Sequence, residues 1–495
     1  MRADHVIRLV AALAVICAQT AWPAPHDDLP DFGTPADTAL SKNKEEQLGR
    51  GVMLQLRNAG VVAEDPELTE YIGTLGSRLA SNANNGDYRF NFFVVNDDRI
   101  NAFALPGGFI GVNSGLILAS DNESELAGVL AHEISHVTQR HIARSIYDNQ
   151  RTSIVSMAAM LAAILLGAAA DVSGDAMQGV VSASQALAVQ RQINFTRSNE
   201  YEADRVGMEV LSAAGFDPNG MSGFFEKLAK RYGASTQYIP ELLQTHPVST
   251  ERVAEARSRA RQLPQTANED SAGYGLAKAR LQVLNAPTPE AAMAIFQARA
   301  ASGSPADRYG MALSSKQMSL NDDAERLFRD LSDEFPTVIA FKIGQAEALL
   351  ASGLTEAAMA LYSESVRLFP RNRPLTISYA EALIASGQPA EAHELLLDLL
   401  NNVQPTPEQL RLIARAANAE GDVGNAYFYM SYYYASIGNL PLAIGQVRMA
   451  LESPGVHTVD RARFEARLEE LIDYLPEKQR DQAARKGARR PAPVR

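Results

Sequence analysis

The chain has 495 residues, with 46 Lys or Arg against 58 Asp or Glu and a formal net charge of −12 at pH 7. That length accommodates more than one domain, and the acidic balance argues against nucleic acid as a partner. The only cysteine, Cys17, lies in a stretch expected to be removed, which excludes a disulfide framework and thiol catalysis from the mature protein.

Residues 1–24 read as a cleaved signal peptide. Arg2 and Arg8 precede a nine-residue apolar run, Leu9 to Cys17, followed by small residues up to Ala21 or Ala24. The run is too short for a stable spanning helix, and Ala14-Val15-Ile16 before Cys17 makes a poor lipidation site, so a cleaved, exported product is expected. A Pro- and Asp-rich leader follows to Thr38. From Ser41 to about Ala80 the periodicity predicts two amphipathic helices split near Asp65-Pro66. Arg89 to Asn96 alternates as a strand, and Gly107-Gly108 turns into a second one at Phe109 to Asn113.

A helix-like run from Glu123 to Ala143 carries His132-Glu133-Ile134-Ser135-His136. Residues four apart share a helix face, so His132 and His136 can offer two imidazole nitrogens to one metal ion, and Glu133 can take the proton of an attacking water. A third ligand must come from elsewhere. Position 142 is Ile142, position 139 is Gln139 and His141 is out of register, which excludes a metzincin arrangement. A second helix-like run holds Glu200-Tyr201-Glu202-Ala203-Asp204; Glu200 and Glu202 point to nearly opposite faces, so only one of them can be a ligand, while Asp204 shares the face of Glu200 and can hold the outer nitrogen of a ligating His.

At these residues the chain resembles the HExxH metallopeptidases related to the CAAX prenyl proteases and HtpX. The resemblance implies one Zn2+ per chain, with Glu200 chosen over Glu202 as ligand. It extends to His246-Pro247 with Arg252 six residues after the His, implying that both line the site, and to Asn101 through Ile110, which resembles the family's strand beside the active-site helix. His246 has two roles open to it: supporting the oxyanion together with Arg252, or occupying the fourth zinc position in a resting enzyme. Substrate is expected to add as a strand on the edge, with Asn101 and Phe109 as contacts, a plain turn role for Asn101 being equally open. Between the two halves of the site, residues 154–170 carry no charge; a buried helix or lid and a membrane-surface contact are both open readings.

Polar and small residues from 263 to 273 read as a linker between a peptidase domain at 25–262 and an array at 274–475. Ala346-Glu347-Ala348-Leu349 recurs as Ala380-Glu381-Ala382-Leu383, a shift of 34 that also links Gly353, Gly387 and Gly421. This is the tetratricopeptide period. About four units are expected up to Gly438, the last offset by half a repeat, with closing helices from Pro441 to Leu475. Some of the tyrosines between Tyr427 and Tyr434 are expected to bind peptide, and packing to account for most. Residues 476–495 form a basic tail, read as solvated, with weak attraction to an anionic membrane surface as the sharper alternative.

The fold class expected is therefore mainly α: an α+β zincin-like peptidase domain with a small β-sheet, followed by an α-solenoid of tetratricopeptide repeats. Leader, peptidase and array together resemble envelope quality-control peptidases of Gram-negative bacteria. That implies a periplasmic zinc endopeptidase whose partners are unfolded or misassembled outer-membrane proteins and, through the repeats, the barrel-assembly machinery. The competing expectation is a chaperone-like scaffold with its zinc site closed.

Overall fold

In the computed structural model the described residues are 40–83, 88–148, 197–232, 240–266, 269–299, 303–403 and 405–475. The signal peptide, the Pro-rich leader, the uncharged stretch 154–170 and the basic tail lie outside them. Among the described residues no helix is long and apolar enough to cross a membrane.

Among the described residues two helices come first, α1 (Lys42–Asn58) and α2 (Pro66–Ala80). Asp65 starts α2 by accepting from the backbone N–H groups of Glu67 and Leu68, with Pro66 in the first turn where its missing N–H costs nothing. A three-stranded sheet follows: β1 (Asn91–Val95), β2 (Ala102–Leu105) and β3 (Phe109–Asn113), in the order β1-β3-β2, with β1 parallel and β2 antiparallel to the central β3. The stretch from Asn101 to Ile110 is thus a strand, a turn and the start of a second strand. Strand β2 is four residues long, with Ala102 and Ala104 on one face and Phe103 and Leu105 on the other, too short to alternate recognisably. The outer side of β1 is partly covered, Ala63 donating to Val94 O and Asn96 to Val61 O. The far side of β2 faces α4.

Helix α3 (Ser114–Ala119) leads into α4 (Glu123–Thr138), the helix that carries the HExxH residues. Asn122 caps it by accepting from Glu125 N–H at 3.0 Å, and Glu123 and Glu125 complement the helix dipole in the first turn. Fifteen of its sixteen residues are buried, because α2, β2, α6 (Arg197–Ala213) and α7 (Asn219–Tyr232) enclose it. Glycine makes the closest approaches possible: a Cβ at Gly128 would lie 2.8 Å from Met221 Cα, and one at Gly207 3.0 Å from the carbonyl of Ala131. Gly128→Ala is expected to lower the free energy of unfolding by about 1–3 kcal/mol, read from the urea midpoint, because α7 must shift to admit the methyl group.

The helix was expected to run to Ala143, but it ends at Thr138. Arg140 takes a left-handed conformation (φ 55), and the chain restarts as α5 (His141–Asp148). Beyond α7, the short α8 (Glu241–Thr245) delivers His246, and α9 (Thr250–Ala260) delivers Arg252.

The remaining helices form six hairpins: α10 (Ala272–Leu284) with α11 (Pro289–Gln297), α12 (Pro305–Gln317) with α13 (Asn321–Glu334), α14 (Ile339–Ala351) with α15 (Thr355–Leu368), α16 (Arg373–Ala385) with α17 (Pro389–Asn402), α18 (Pro407–Glu420) with α19 (Val423–Ser436), and α20 (Leu440–Glu452) with α21 (Thr458–Asp473). The expected half-repeat offset at the end is corrected by this arrangement. Gly353, Gly387 and Gly421, which turn between the two helices of a hairpin, continue at Gly455, and all four have positive φ. Gly438 instead joins one hairpin to the next. On α19, Phe428 and Tyr429 are buried, and Tyr432 stacks beneath the Arg467 guanidinium.

The first helices of the hairpins grip α1 and α2. Arg280 on α10 pairs with Asp65 at 2.8 Å and Glu67 at 2.9 Å, and Tyr309 on α12 donates to Glu67 at 2.7 Å. Arg373 pairs with Glu70, Arg411 with Glu64, and Glu408 with Arg57.

Candidate metal centre

Four buried groups from three separated segments converge: His132 and His136 from α4, Glu200 from α6 and His246 from the end of α8. The Nε2 atoms of His132 and His136 are 3.0 Å apart, His246 Nδ1 is 3.3 Å from His132 Nε2, and Glu200 oxygens lie 3.5 Å from each of the two Nε2 atoms. Ligands held at about 2.0–2.2 Å around one tetrahedral ion are about 3.3–3.6 Å from one another, so the spacing and the nitrogen and carboxylate donors fit a zinc-sized ion.

His132 and Glu200 are held from behind. Asp204 Oδ1 lies 3.0 Å from His132 Nδ1, and Asp204 in turn accepts two 2.7 Å bonds from Arg252. Arg252 also pairs with Glu200 at 2.8 Å and donates to Pro247 O at 2.7 Å. Burial pushes His132 down, but Asp204 and Glu200 outweigh it and hold the metal-free imidazole at about 10. Burial raises Glu200, yet the surrounding His246, His132 and His136 bring it well below the usual carboxylate range.

Glu133 lies at the edge of the cluster, 1% exposed, and neither carboxylate oxygen accepts a well-formed hydrogen bond; His246 Nε2 stands 3.5 Å from Oε1. Burial raises its pKa, opposed by His246 and His132. A buried, unsatisfied carboxylate beside a ligand cluster is a proton acceptor in want of a donor.

The structure thus brings together His132, Glu133, His136, Glu200, Asp204, His246 and Arg252. Asn101 precedes β2 and is buried, with Oδ1 unsatisfied. Phe109 goes elsewhere: its ring lies over Gly49 of α1, in a cluster with Val52, Met53 and Leu56, so it serves that packing. His141 is the residue that sequence reading set aside. Its Nδ1 lies 2.8 Å from His136 Nδ1 and its Nε2 3.2 Å from Glu202, which Arg144 holds at 2.9 Å. Burial pushes His141 down to about 4.

Fold and site together define a metallopeptidase joined to a helical-hairpin array. Residues 66–260 match peptidase family M48, and residues 349–416 match the tetratricopeptide repeat. The chain is 35% identical over 483 residues to the beta-barrel assembly-enhancing protease of Escherichia coli K12, covering 95% of this chain and 96% of that one. The corresponding protein of Yersinia pestis is 36% identical over 454 residues, covering 90% and 92%. The mitochondrial metalloendopeptidase OMA1 of Schizosaccharomyces pombe is 32% identical over 185 residues, 37% of this chain and 51% of its own. The chain therefore belongs to the M48 metallopeptidases that carry tetratricopeptide repeats.

Proposed function

We propose that this chain is a periplasmic, zinc-dependent endopeptidase that degrades misfolded or stalled outer-membrane proteins and assists their assembly. The observation that carries the chemistry is the convergence of His132, His136 and Glu200 beside the unsatisfied carboxylate of Glu133. Bound there, zinc supplies Lewis acidity toward water and the scissile carbonyl. Glu133 takes a proton from the attacking water and passes it to the leaving amine; burial makes it a stronger base than an exposed carboxylate. Arg252 acts through Asp204 and Glu200, fixing the ligands in place.

Strand β2 supplies the substrate edge. An extended segment added there gains main-chain hydrogen bonds whatever its sequence, which suits unfolded clients, with Asn101 at the strand's start as a further contact. The names of the relatives support barrel proteins as clients and the barrel-assembly machinery as the partner of the repeats. The signal-peptide pattern supports the periplasm.

His246 Nδ1 stands within 3.1–3.3 Å of Glu200 and His132, which favours the resting-ligand role over the oxyanion role. His246→Ala is accordingly expected to keep its metal and to cleave unfolded substrate several-fold faster. A fall of about a hundredfold or more would instead assign His246 to the transition state.

The proposal is tested on the purified mature chain by metal content and by cleavage of casein and of an unfolded β-barrel. One zinc per chain is expected, with cleavage abolished by a chelator and restored by zinc. A metal-free chain, or cleavage indifferent to chelation, overturns it.

A further inference from the structure

The two histidines of α4 are held differently. Behind His132 stands a carboxylate, Asp204, whereas behind His136 stands a third imidazole, that of His141, itself fully buried. His136 turns its Nε2 toward His132 and Glu200, at 3.0 and 3.5 Å, so a ligating His136 must carry its proton on Nδ1. That Nδ1 is 2.8 Å from Nδ1 of His141, which must then accept. An imidazole accepting through Nδ1 carries its proton on Nε2, and the group waiting there, 3.2 Å away, is the carboxylate of Glu202, fixed by Arg144 at 2.9 Å. Every link has one donor and one acceptor, and the chain of bonds has only one direction.

From this geometry, and resting on the metal-site reading above, we infer that His141 and Glu202 are positioning residues that fix the tautomer and ring orientation of His136 for metal binding. The backbone is shaped for it: α4 stops at Thr138, Arg140 turns in the left-handed region, and α5 restarts so that a histidine five residues after His136 returns beneath its ring. Glu202, two residues after Glu200 and on the opposite face of α6, thereby has a task of its own.

The test is zinc affinity, measured by competition with a chromogenic chelator, alongside thermal unfolding of the metal-stripped proteins. In His141→Leu, similar in size but without an acceptor, the zinc dissociation constant is expected to rise about 10- to 100-fold while the metal-free protein unfolds no earlier than wild type. His141→Asn, which restores an acceptor near the position of Nδ1, is expected to recover most of that loss, a rescue that plain packing would not give. Glu202→Gln, at a partly exposed position, provides a second reading that does not depend on folding of the core variants; it is expected to weaken zinc in the same direction and by less. If wild type holds one zinc and both His141→Leu and Glu202→Gln hold it as tightly, this inference is overturned and the metal-site reading stands. If wild type holds no zinc, both fall together.

Discussion

Glu133→Gln is expected to lower kcat/KM for an unfolded-protein substrate by at least about 10²–10⁴-fold, roughly 3–5 kcal/mol of transition-state stabilisation, with one zinc per chain retained. The amide fills the same space but cannot take a proton. Glu133 has no well-formed hydrogen bond, and the weak contact from the Ala104 backbone N–H can pass to the Gln carbonyl, so little else is disturbed. The sign of the stability change follows from the same burial. Glu133 is raised above the unfolded carboxylate range, so ionising it opposes folding once pH rises past that range. Metal-stripped Glu133→Gln should therefore unfold at no lower temperature than wild type at neutral pH. This variant also separates catalysis from scaffolding. Failure of folded, metal-loaded Glu133→Gln to restore envelope assembly in a cell lacking the wild-type chain excludes a mainly chaperone role. Full restoration excludes proteolysis as the main one.

The second large effect lies far from the zinc. Arg280→Met is expected to lower the free energy of unfolding by about 2–4 kcal/mol in a urea titration, because Asp65 and Glu67, side by side at the start of α2, would then be left in a largely buried interface with no cation to pair with. Burial itself raises the pKa of Glu67, while Arg280 lowers it. Arg280→Met combined with Glu67→Gln should recover part of the loss, and the double-mutant cycle gives the coupling directly. Additive losses in the two single variants would show that the pair contributes nothing as a pair.

What could be read in the sequence was what depends on near neighbours. His132 and His136 are paired by the geometry of a single helical turn, and the 34-residue period needs only the alignment of small residues along the chain. Glu200 needed more: spacing left it level with Glu202, and the family resemblance chose between them. His141 was set aside because it falls one position short of the metzincin register, and only the left-handed turn at Arg140 brings it back to His136. No local propensity favours Arg there; its side chain is held from outside, by Leu40 O at 2.6 Å and Glu45 at 3.0 Å. Strand β2 was legible only through the family resemblance, its four residues being too few to show a period, and Phe109 was drawn to α1 by packing that a linear pattern does not contain. The last hairpin was misread because Gly438 closes one unit where Gly421 and Gly455 turn within units.

The grip of the array on α1 and α2 changes what competition at that face means. The side chains of Arg280, Tyr309, Arg373, Glu408 and Arg411 already hold a ligand, and that ligand is tethered to them by the chain itself. A segment joined through the chain does not dilute away as a free partner does. A free peptide aimed at the same side chains must outbid it, so weak sequence-independent binding is filtered out there. Helix α2 also touches α4, where Tyr71 donates to Glu123 at 3.1 Å. Any partner strong enough to displace α2 would thus act on the helix of the metal ligands, and by reciprocity the state of that helix would set the partner's affinity.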